Sequence, residues 1–244
     1  KKIRNILINL FTFINVFYLR KKFKKIVFFH TPQSAGNSIH FFFKLNFGFR
    51  GFGIEDEDPS LDNKFYDKFL YLYGHFGLDK MKNINFEKDY FYLFNIRDPK
   101  KRYLSNYYRN KDLSFKENQS FLTLENFLKL RLSQNADNYY TRYLSGETIN
   151  DDSKKVDQRI YNKAVENLKK ITFFFVLEKS EQSFRELSKK LNIKFPFSNF
   201  FTLHKNKVSG SQFPETSNDE KKLLDQLTFY DEQIYQKILK INLN

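Results

Sequence analysis

A loop of small and polar residues between a strand and a helix is the part of this sequence best suited to chemistry. Residues 25–44 read KIVFFHTPQSAGNSIHFFFK, in which an apolar run ends at Phe29 and a helix-forming run begins near Gly36. The first N–H groups of a helix have no acceptor within the helix, and the helix dipole favours negative charge there. We therefore predict that the loop binds phosphate or sulfate. This anion loop consists of Pro32, Gln33, Ser34, Ala35, Gly36, Asn37 and Ser38.

The anion loop differs from the two commonest glycine-rich phosphate motifs. No Gly-Lys-Ser or Gly-Lys-Thr follows Gly36, which excludes the Walker phosphate loop. The loop also has one glycine where a dinucleotide-binding fingerprint needs three. Because a strand, a turn and a helix also occur where no ligand binds, an anion site needs support from a second feature.

The sequence repeats the order strand, polar turn and helix after Tyr90. Asp98 is a favourable helix cap, and Pro99 suits the first helical position, where a missing N–H costs nothing. Arg97 ends the strand and Ser105 lies two turns along the helix, so that a guanidinium and a hydroxyl are placed to hold a phosphate. Two anion sites after two strands predict a ligand with two phosphate groups.

These segments resemble those of a known family. Residues 31–38 resemble the loop that binds the 5′ phosphosulfate in sulfotransferases that use 3′-phosphoadenylyl sulfate (PAPS), and residues 96–105 resemble their 3′-phosphate signature. The most similar branch is the carbohydrate type, sulfotransferase family 2, which includes the heparan sulfate 2-O-sulfotransferases. Three weaker motifs follow in the family's order: Gly74-His75-Phe76, then Asn138 with Thr141–Gly146, and Leu203–Asn206 ahead of a helix with Asp231 and Tyr235.

The resemblance implies a reaction, a donor and a class of acceptor. The reaction is transfer of a sulfuryl group from PAPS, the donor substrate, to a hydroxyl of a carbohydrate or glycolipid. The implied fold is α/β, a P-loop-like three-layer sandwich with a central parallel sheet flanked by helices. By the same resemblance, residues 32–38 bind the 5′ phosphosulfate, whereas Arg97 and Ser105 bind the 3′ phosphate.

One position of the anion loop departs from the family pattern. The family has a lysine directly after the loop proline, where the ammonium group neutralises the bridging oxygen as the sulfuryl group leaves, whereas this chain has Gln33. Glutamine donates a hydrogen bond without a charge, and loss of one transition-state donor typically costs on the order of 10²–10³ in rate. Two readings stay open: an active sulfotransferase, or a relative that binds PAPS or its desulfated product with little or no transfer.

Sulfuryl transfer needs a base to accept the proton of the acceptor hydroxyl. We predict that this base is His75, because it follows a strand ending at Tyr73 and should emerge at the same sheet edge as both anion sites. The Gly-His-Phe position in the family supports the choice. The acidic residues 55–57 stay open as alternative bases. His30, next to the anion loop, is predicted to brace it.

Composition favours a single globular domain that contains neither a metal nor a disulfide. The chain has 244 residues, enough to bury a core, with 31 Phe, no Cys and four His that lack metal-ligand spacing. The net charge of +14 would suit nucleic acid, but no zinc finger, helix-turn-helix or RNA-binding motif accompanies it. We predict one sulfotransferase-like domain over residues 26–244. A basic nucleic-acid or membrane-surface protein is the weakest of the three readings.

The first 25 residues form a separate segment, with an apolar run between basic ends. Asn5–Leu19 has no charge, but it is shorter than the ~20 residues of a membrane-spanning helix and contains Asn9 and Asn15. It also lacks the small-residue cleavage site of a signal peptide. We predict a helix that packs on the domain of a cytoplasmic protein. Peripheral contact with a membrane through residues 1–25 is the alternative.

Apolar periodicity in the rest of the chain predicts alternating strands and helices, which indicates a parallel sheet covered by helices. Predicted strands are 26–30, 69–73, 90–96 and 172–177, and predicted helices are 36–46, 99–110, 123–132, 157–169, 180–192 and 218–241. Residues 48–62, 112–120 and 147–156 are predicted to be loops that select the acceptor.

Overall fold

Strands and helices alternate along the chain, as the sequence predicts. A computed structural model describes residues 2–54, 68–78, 88–116, 120–146, 154–193 and 213–241. The strands in these segments are β1 (Lys25–Phe29), β2 (Gly51–Ile54), β3 (Tyr71–Gly74), β4 (Tyr90–Ile96) and β5 (Phe173–Val176). The α-helices there are α1 (Lys2–Arg20), α2 (Gly36–Phe47), α3 (Pro99–Lys116), α4 (Leu124–Ser133), α5 (Tyr139–Ser145), α6 (Gln158–Asn167), α7 (Ser180–Lys190) and α8 (Asn218–Ile241).

The chain divides into two compact units. The sheet unit, residues 1–76, 80–96 and 170–205, holds the five described strands together with α1, α2 and α7. The helical unit, residues 77–79, 97–169 and 206–244, holds α3, α4, α5, α6 and α8. The anion loop belongs to the sheet unit, whereas Arg97 and Ser105 belong to the helical unit. A single domain over residues 26–244 stays a prediction.

The sheet is parallel throughout its described strands, in the order β2-β3-β1-β4-β5. Phe29 lies opposite both Gly74 of β3 and Phe94 of β4, so these registers bring the residues after β1 and β3 to one edge of the sheet. That edge is where parallel α/β folds bind their ligands. The predicted α/β class, with a central parallel sheet flanked by helices, is confirmed.

One face of the sheet packs against α1, α2 and α7 through a core rich in phenylalanine. Alternate strand residues such as Phe28 and Phe91 are buried on this face. The Phe28 ring meets that of Phe43 on α2 edge to face, with centroids 6.0 Å apart. Full burial of each such ring contributes about 1.5–3 kcal/mol. The abundant phenylalanine therefore builds the core of the sheet unit.

Strand β2 corrects the prediction of a loop over residues 48–62. It pairs in parallel with β3 at one end of the strand order. A Cβ atom on Gly51 would lie 2.0 Å from the buried Tyr71 ring, so only glycine fits beside that ring. Glycine in a strand commonly marks such a close approach, whereas in the sequence Gly51 and Gly53 suggest a turn. The strand was predicted as a loop because its glycines make room for a neighbouring ring and do not form a turn.

The core of the helical unit is formed by α3, α4 and α8 together with the segments beside them. Tyr103, Leu128 and Leu227 are among its buried members. The start of α8 carries a capping box, because Ser217 Oγ accepts a hydrogen bond from Glu220 N–H and Glu220 Oε2 accepts one from Ser217 N–H. Both bonds satisfy N–H groups that the helix itself leaves without acceptors.

Two helices of this unit differ from the prediction. Helix α3 continues to Lys116, so part of the predicted loop over residues 112–120 is helical. Helix α5 was not predicted, because its seven residues are too few to display a helical period. Its position is set by side chains of α8, which are distant in sequence.

The N-terminal segment contains α1, which packs within the sheet unit. Val16 and Leu19 are buried, and Asn15 Nδ2 donates a hydrogen bond to Asn46 Oδ1 of α2 at 3.4 Å. Nowhere in the described segments is a helix both long enough and apolar enough to cross a membrane.

The two glycines of β2 provide a matched pair of substitutions. Gly51→Ala is expected to lower the free energy of unfolding by about 1–3 kcal/mol, because the new methyl group overlaps the Tyr71 ring. Gly53→Ala is expected to change it by less than about 1 kcal/mol, because the nearest Tyr73 ring atom would be 3.3 Å away and the unfolded chain loses freedom. Urea unfolding of both variants measures the difference, and equal losses would contradict the placement of β2.

Candidate functional site

The anion loop has a backbone that costs energy to adopt. Gln33 (φ 63°) and Ala35 (φ 68°) both lie in the left-handed region, at roughly 1–2 kcal/mol for each residue with a side chain. Ala35 is also the N-cap of α2, and its methyl group offers no hydrogen bond to the helix. Other elements must therefore hold the loop in this shape.

Asn95 of β4 is the residue that holds the loop. Its Oδ1 accepts a hydrogen bond from Thr31 N–H at 2.6 Å, and its Nδ2 donates to Ser34 O at 2.5 Å and to Thr31 O at 3.2 Å. The Thr31 hydroxyl in turn donates to the backbone carbonyl of Asn95 at 2.6 Å. All three residues are buried. Because water does not compete for these bonds, they fix both the entry and the middle of the loop.

His30 braces the other side of the loop, as predicted. A Cβ atom on Gly36 would lie 1.6 Å from His30 Nε2, so the imidazole occupies the space that any side chain at position 36 would need. Burial, with smaller contributions from charge on His75 and His40, lowers the pKa of His30 from 6.5 to about 3. The ring is therefore neutral at physiological pH. The φ angle of Gly36 is not positive, so the backbone does not require glycine here. Glycine is needed because the His30 ring leaves no space for a side chain.

His75 follows β3 and lies beside His30 at the carboxyl edge of the sheet. The two rings have centroids 4.3 Å apart, and His75 Nδ1 lies 2.8 Å from the backbone carbonyl of His30. A carbonyl only accepts hydrogen bonds, so Nδ1 carries the proton and the lone pair of the neutral ring is on Nε2. The side chain is exposed. The geometry thus presents a basic nitrogen beside the anion loop.

The start of α2 has the donors that an anion requires. In the described part of the chain, the N–H groups of Gly36 and Asn37 have no acceptor, as is usual in a first helical turn. Ser38 N–H and Ile39 N–H donate to Ala35 O instead. The sequence has no acidic residue before Glu55, so no carboxylate from this stretch competes for the donors. The loop therefore fits a phosphate or sulfate group.

Arg97 in the helical unit is held by its backbone. The Tyr140 hydroxyl accepts a hydrogen bond from Arg97 N–H and donates one to Arg97 O, each at 3.0 Å. The guanidinium carbon lies 5.7 Å from the centre of the Phe213 ring. Asp98 caps α3 as predicted, because its Oδ1 accepts from Lys101 N–H at 2.9 Å. Arg97 is therefore positioned by both neighbouring helices, and most of it is buried.

A buried network behind Tyr140 explains this rigidity. The Asp231 carboxylate of α8 accepts hydrogen bonds from Tyr140 N–H at 3.0 Å and from the N–H and hydroxyl of Thr141 at 2.8 Å. Asn138 Oδ1 accepts from the N–H groups of Tyr230 and Asp231. Burial raises the pKa of Asp231 to about 6, although the hydrogen bonds and the charge of Arg102 oppose the rise. The family-like motifs around 138–146 and at 231 thus meet in the helical unit.

Arg102 lies inside the same unit and has an internal role. Its guanidinium carbon is 4.0 Å from the centre of the Tyr139 ring and 4.6 Å from that of Tyr103. Its Nε has no hydrogen-bond partner among the described residues. Ring faces and the nearby Asp231 carboxylate stabilise the charge. Ser105, one turn further along α3, is also buried.

Comparison with known proteins agrees with this architecture. A family model described as sulfotransferase family matches residues 17–244, nearly the whole chain. The chain belongs to the sulfotransferase family. This membership confirms the resemblance found in the sequence and makes sulfuryl transfer its general reaction class. None of the curated proteins compared with the chain matches it.

In this sulfotransferase, several residues of the weaker motifs have structural roles. The Arg142 guanidinium, buried in the helical unit, donates to the Asp137 carboxylate at 2.6 Å and to the carbonyls of Asn135, Asp137 and Lys154. Its contacts hold the turn before α5. Residues 203–206 and the alternative bases at 55–57 lie outside the described residues.

Two residues that hold the sulfotransferase site were missed in the sequence. Asn95 is the one polar side chain in the apolar strand YFYLFNI, and a buried polar residue of that kind needs partners. That signal was available, although it does not identify the partners. The role of Tyr140 could not be predicted, because one tyrosine among fifteen is expected to be an ordinary core residue. The roles assigned to Gln33, His75, Arg97, Ser105 and the loop stay predictions.

Asn95 should be required for the shape of the loop. Asn95→Leu is expected to lower the free energy of unfolding by about 3 kcal/mol, because it removes the buried hydrogen bonds that Asn95 makes to Thr31 N–H and Ser34 O. It should also speed amide hydrogen exchange in residues 31–38, measured by mass spectrometry under native conditions.

Asn46→Leu is the matched control, because Asn46 is also buried in the sheet unit but bonds to Phe42 O and Asn15. It should destabilise the protein without changing exchange in residues 31–38. If Asn95→Leu left that exchange unchanged, the clamp would be the wrong explanation of the loop.

Proposed function

We propose that this sulfotransferase transfers a sulfuryl group from PAPS to a hydroxyl of a carbohydrate or glycolipid. The observation that carries the proposal is the anion loop, which Asn95 holds at Ser34 and which leads into the N–H groups of Gly36 and Asn37, without an acceptor among the described residues. The family generally uses PAPS as donor. The class of acceptor rests on the resemblance to sulfotransferase family 2.

The proposal gives each phosphate of the donor its own residues. Residues 32–38 bind the 5′ phosphosulfate, with the N–H groups of Gly36 and Asn37 as donors. Arg97 and Ser105 bind the 3′ phosphate. The Tyr140 hydroxyl supports this role, because it holds both backbone groups of Arg97 and limits how far the guanidinium base can move. A guanidinium with a fixed base binds phosphate with less loss of entropy.

His75 serves as the base in this proposal. The acceptor oxygen bonds to sulfur as the S–O bond to the nucleotide phosphate breaks, and the acceptor proton passes to His75 Nε2. The His30 carbonyl favours this, because it holds the proton of the neutral ring on Nδ1. His30 is neutral at physiological pH, so it places no positive charge beside His75.

Gln33 takes the place of the lysine that assists the leaving group in the family. Its amide donates a hydrogen bond to the bridging oxygen but cannot neutralise the developing charge. The expected consequence is slow transfer with nucleotide binding retained. Binding and transfer therefore need separate tests.

Nucleotide binding is tested by calorimetry with 3′,5′-ADP, the desulfated product. The protein should bind it, and Arg97→Ala should weaken binding about tenfold or more, because a hydrogen bond to a charged group is worth about 1.5–3 kcal/mol. Arg109→Ala is the matched control, since it removes the same charge from an exposed position of α3. Absence of binding, or equal loss in both variants, would rule out the assigned 3′-phosphate site.

Transfer is tested with PAPS carrying labelled sulfate and a panel of glycans and glycolipids. Gln33→Lys should raise the rate by about 10²–10³, because it restores the charged donor. In that background His75→Gln should lower the rate by about 10²–10⁴. His40→Gln serves as the control, because His40 lies on α2 and its ring packs against Tyr73 of β3.

These rates separate the two readings left open by the sequence. Measurable transfer by the unaltered chain supports an active enzyme, whereas transfer only after Gln33→Lys supports a nucleotide-binding relative. Full activity of His75→Gln would show that His75 is not the base.

A further inference from the structure

Helix α1 has its polar and apolar residues on unexpected sides. Its buried residues include Thr12 and Asn15, and the Asn15 amide bonds to Asn46 of α2. Its exposed residues include Leu10, Phe13 and Phe17, with 50%, 64% and 51% of their surface accessible. Large apolar side chains on the exposed side of a helix whose buried side includes polar ones depart from the usual pattern of a surface helix. The exposed side is therefore suited to an apolar contact.

These three residues form one stripe, which we call the α1 stripe. Their spacing of three and four residues places them along one side of the helix over about 10 Å. The core of the sheet unit does not need them, because Val16 and Leu19 fill the buried side of α1. Single exposed apolar residues are common, but a row of them on one helix marks an interaction surface.

Cations border the α1 stripe. Arg20, Lys21 and Lys22 are exposed where the helix ends, and Lys21 Nζ lies 4.6 Å from the centre of the Phe17 ring. A second pair has the same form, with Lys44 Nζ 4.3 Å from the ring of Phe49, which is 85% accessible.

The second pair lies close to α1. A Cβ atom on Gly48 would be 3.4 Å from Thr12 Cγ2, so the end of α2 approaches the middle of the helix. No carboxylate occurs in the first 54 residues to offset the positive charge. An apolar stripe with basic neighbours is complementary to a surface that has an anionic outer layer and an apolar layer behind it.

We propose that the α1 stripe and the basic residues beside it bind the surface of an anionic lipid membrane. The rings enter the boundary between headgroups and acyl chains, while the lysine and arginine side chains reach the phosphates. The helix lies in the plane of the surface, because its opposite side packs on α2. The inference does not depend on the reaction assigned to the protein.

The absence of tryptophan allows a direct optical test on the full chain. Phe13→Trp gives a single indole at the centre of the stripe. Vesicles of phosphatidylcholine with 30% phosphatidylglycerol should shift its emission to the blue, and brominated acyl chains should quench it. Phe115→Trp, at an 82% exposed site on α3, is the matched control and should show neither effect. Equal responses at both positions would overturn the proposed orientation.

Vesicle sedimentation measures the contribution of each part of the surface. Phe13→Ser with Phe17→Ser should weaken binding about tenfold or more. Arg20→Gln with Lys21→Gln should weaken it roughly 30-fold, from about 1 kcal/mol per cation. Unchanged thermal unfolding confirms that these exposed substitutions leave the fold intact. Equal binding to neutral vesicles overturns the electrostatic part of the proposal.

Other occupants of the stripe give different results. If Phe13→Ser with Phe17→Ser abolishes self-association in analytical ultracentrifugation while vesicles do not bind, the stripe covers a second copy of the chain and the proposal is wrong. Absence of any emission shift with anionic vesicles also overturns it. Nucleotide binding in the same samples should be unaffected, so failure here is distinguishable from failure of the proposed function.

Discussion

The buried side chain of Asn95 is the interaction on which the anion loop depends. Two residues of the loop adopt left-handed backbone angles without being glycine, and together these cost roughly 2–4 kcal/mol. The Asn95 amide offsets that cost, because inside the protein it bonds to Ser34 O within the loop and to the N–H and carbonyl of Thr31 directly before it. Asn95 lies on β4, an interior strand, so these bonds tie the loop to the sheet. The N–H groups at the start of α2 are thereby held ready for an anion.

His30 connects the anion loop to the neighbouring His75. His30 packs its ring into the space left by Gly36 and offers its carbonyl to His75. One residue therefore braces the loop and selects the tautomer of the neighbouring imidazole. In the helical unit, Tyr140 plays a comparable part, because one hydroxyl fixes both backbone groups of Arg97 while Asp231 fixes Tyr140. The His75 ring and the backbone of Arg97 are thus each held by hydrogen bonds to neighbouring residues.

Much of this could be predicted from the sequence, and the exceptions have physical reasons. The strands around Phe28 and Phe94 and the helices after them follow from apolar periodicity and from Asp98 and Pro99 as start signals. Strand β2 was missed because Gly51 makes room for a ring on a neighbouring strand, a contact that no local pattern encodes. The partners of Asn95 were missed for the same reason. Tertiary contacts decided both cases.

Gln33 sits in the loop that is otherwise built for anion binding, at a left-handed position braced on both sides. We propose that this loop receives the 5′ phosphate of the donor through backbone N–H groups. Nuclear magnetic resonance of the ¹⁵N-labelled protein, titrated with 3′,5′-ADP, tests it directly. The amide signals of Gly36 and Asn37 should shift during the titration, with a dissociation constant equal to that of the nucleotide measured by calorimetry. Signals of Gly36 and Asn37 that stay in place while others shift would contradict it.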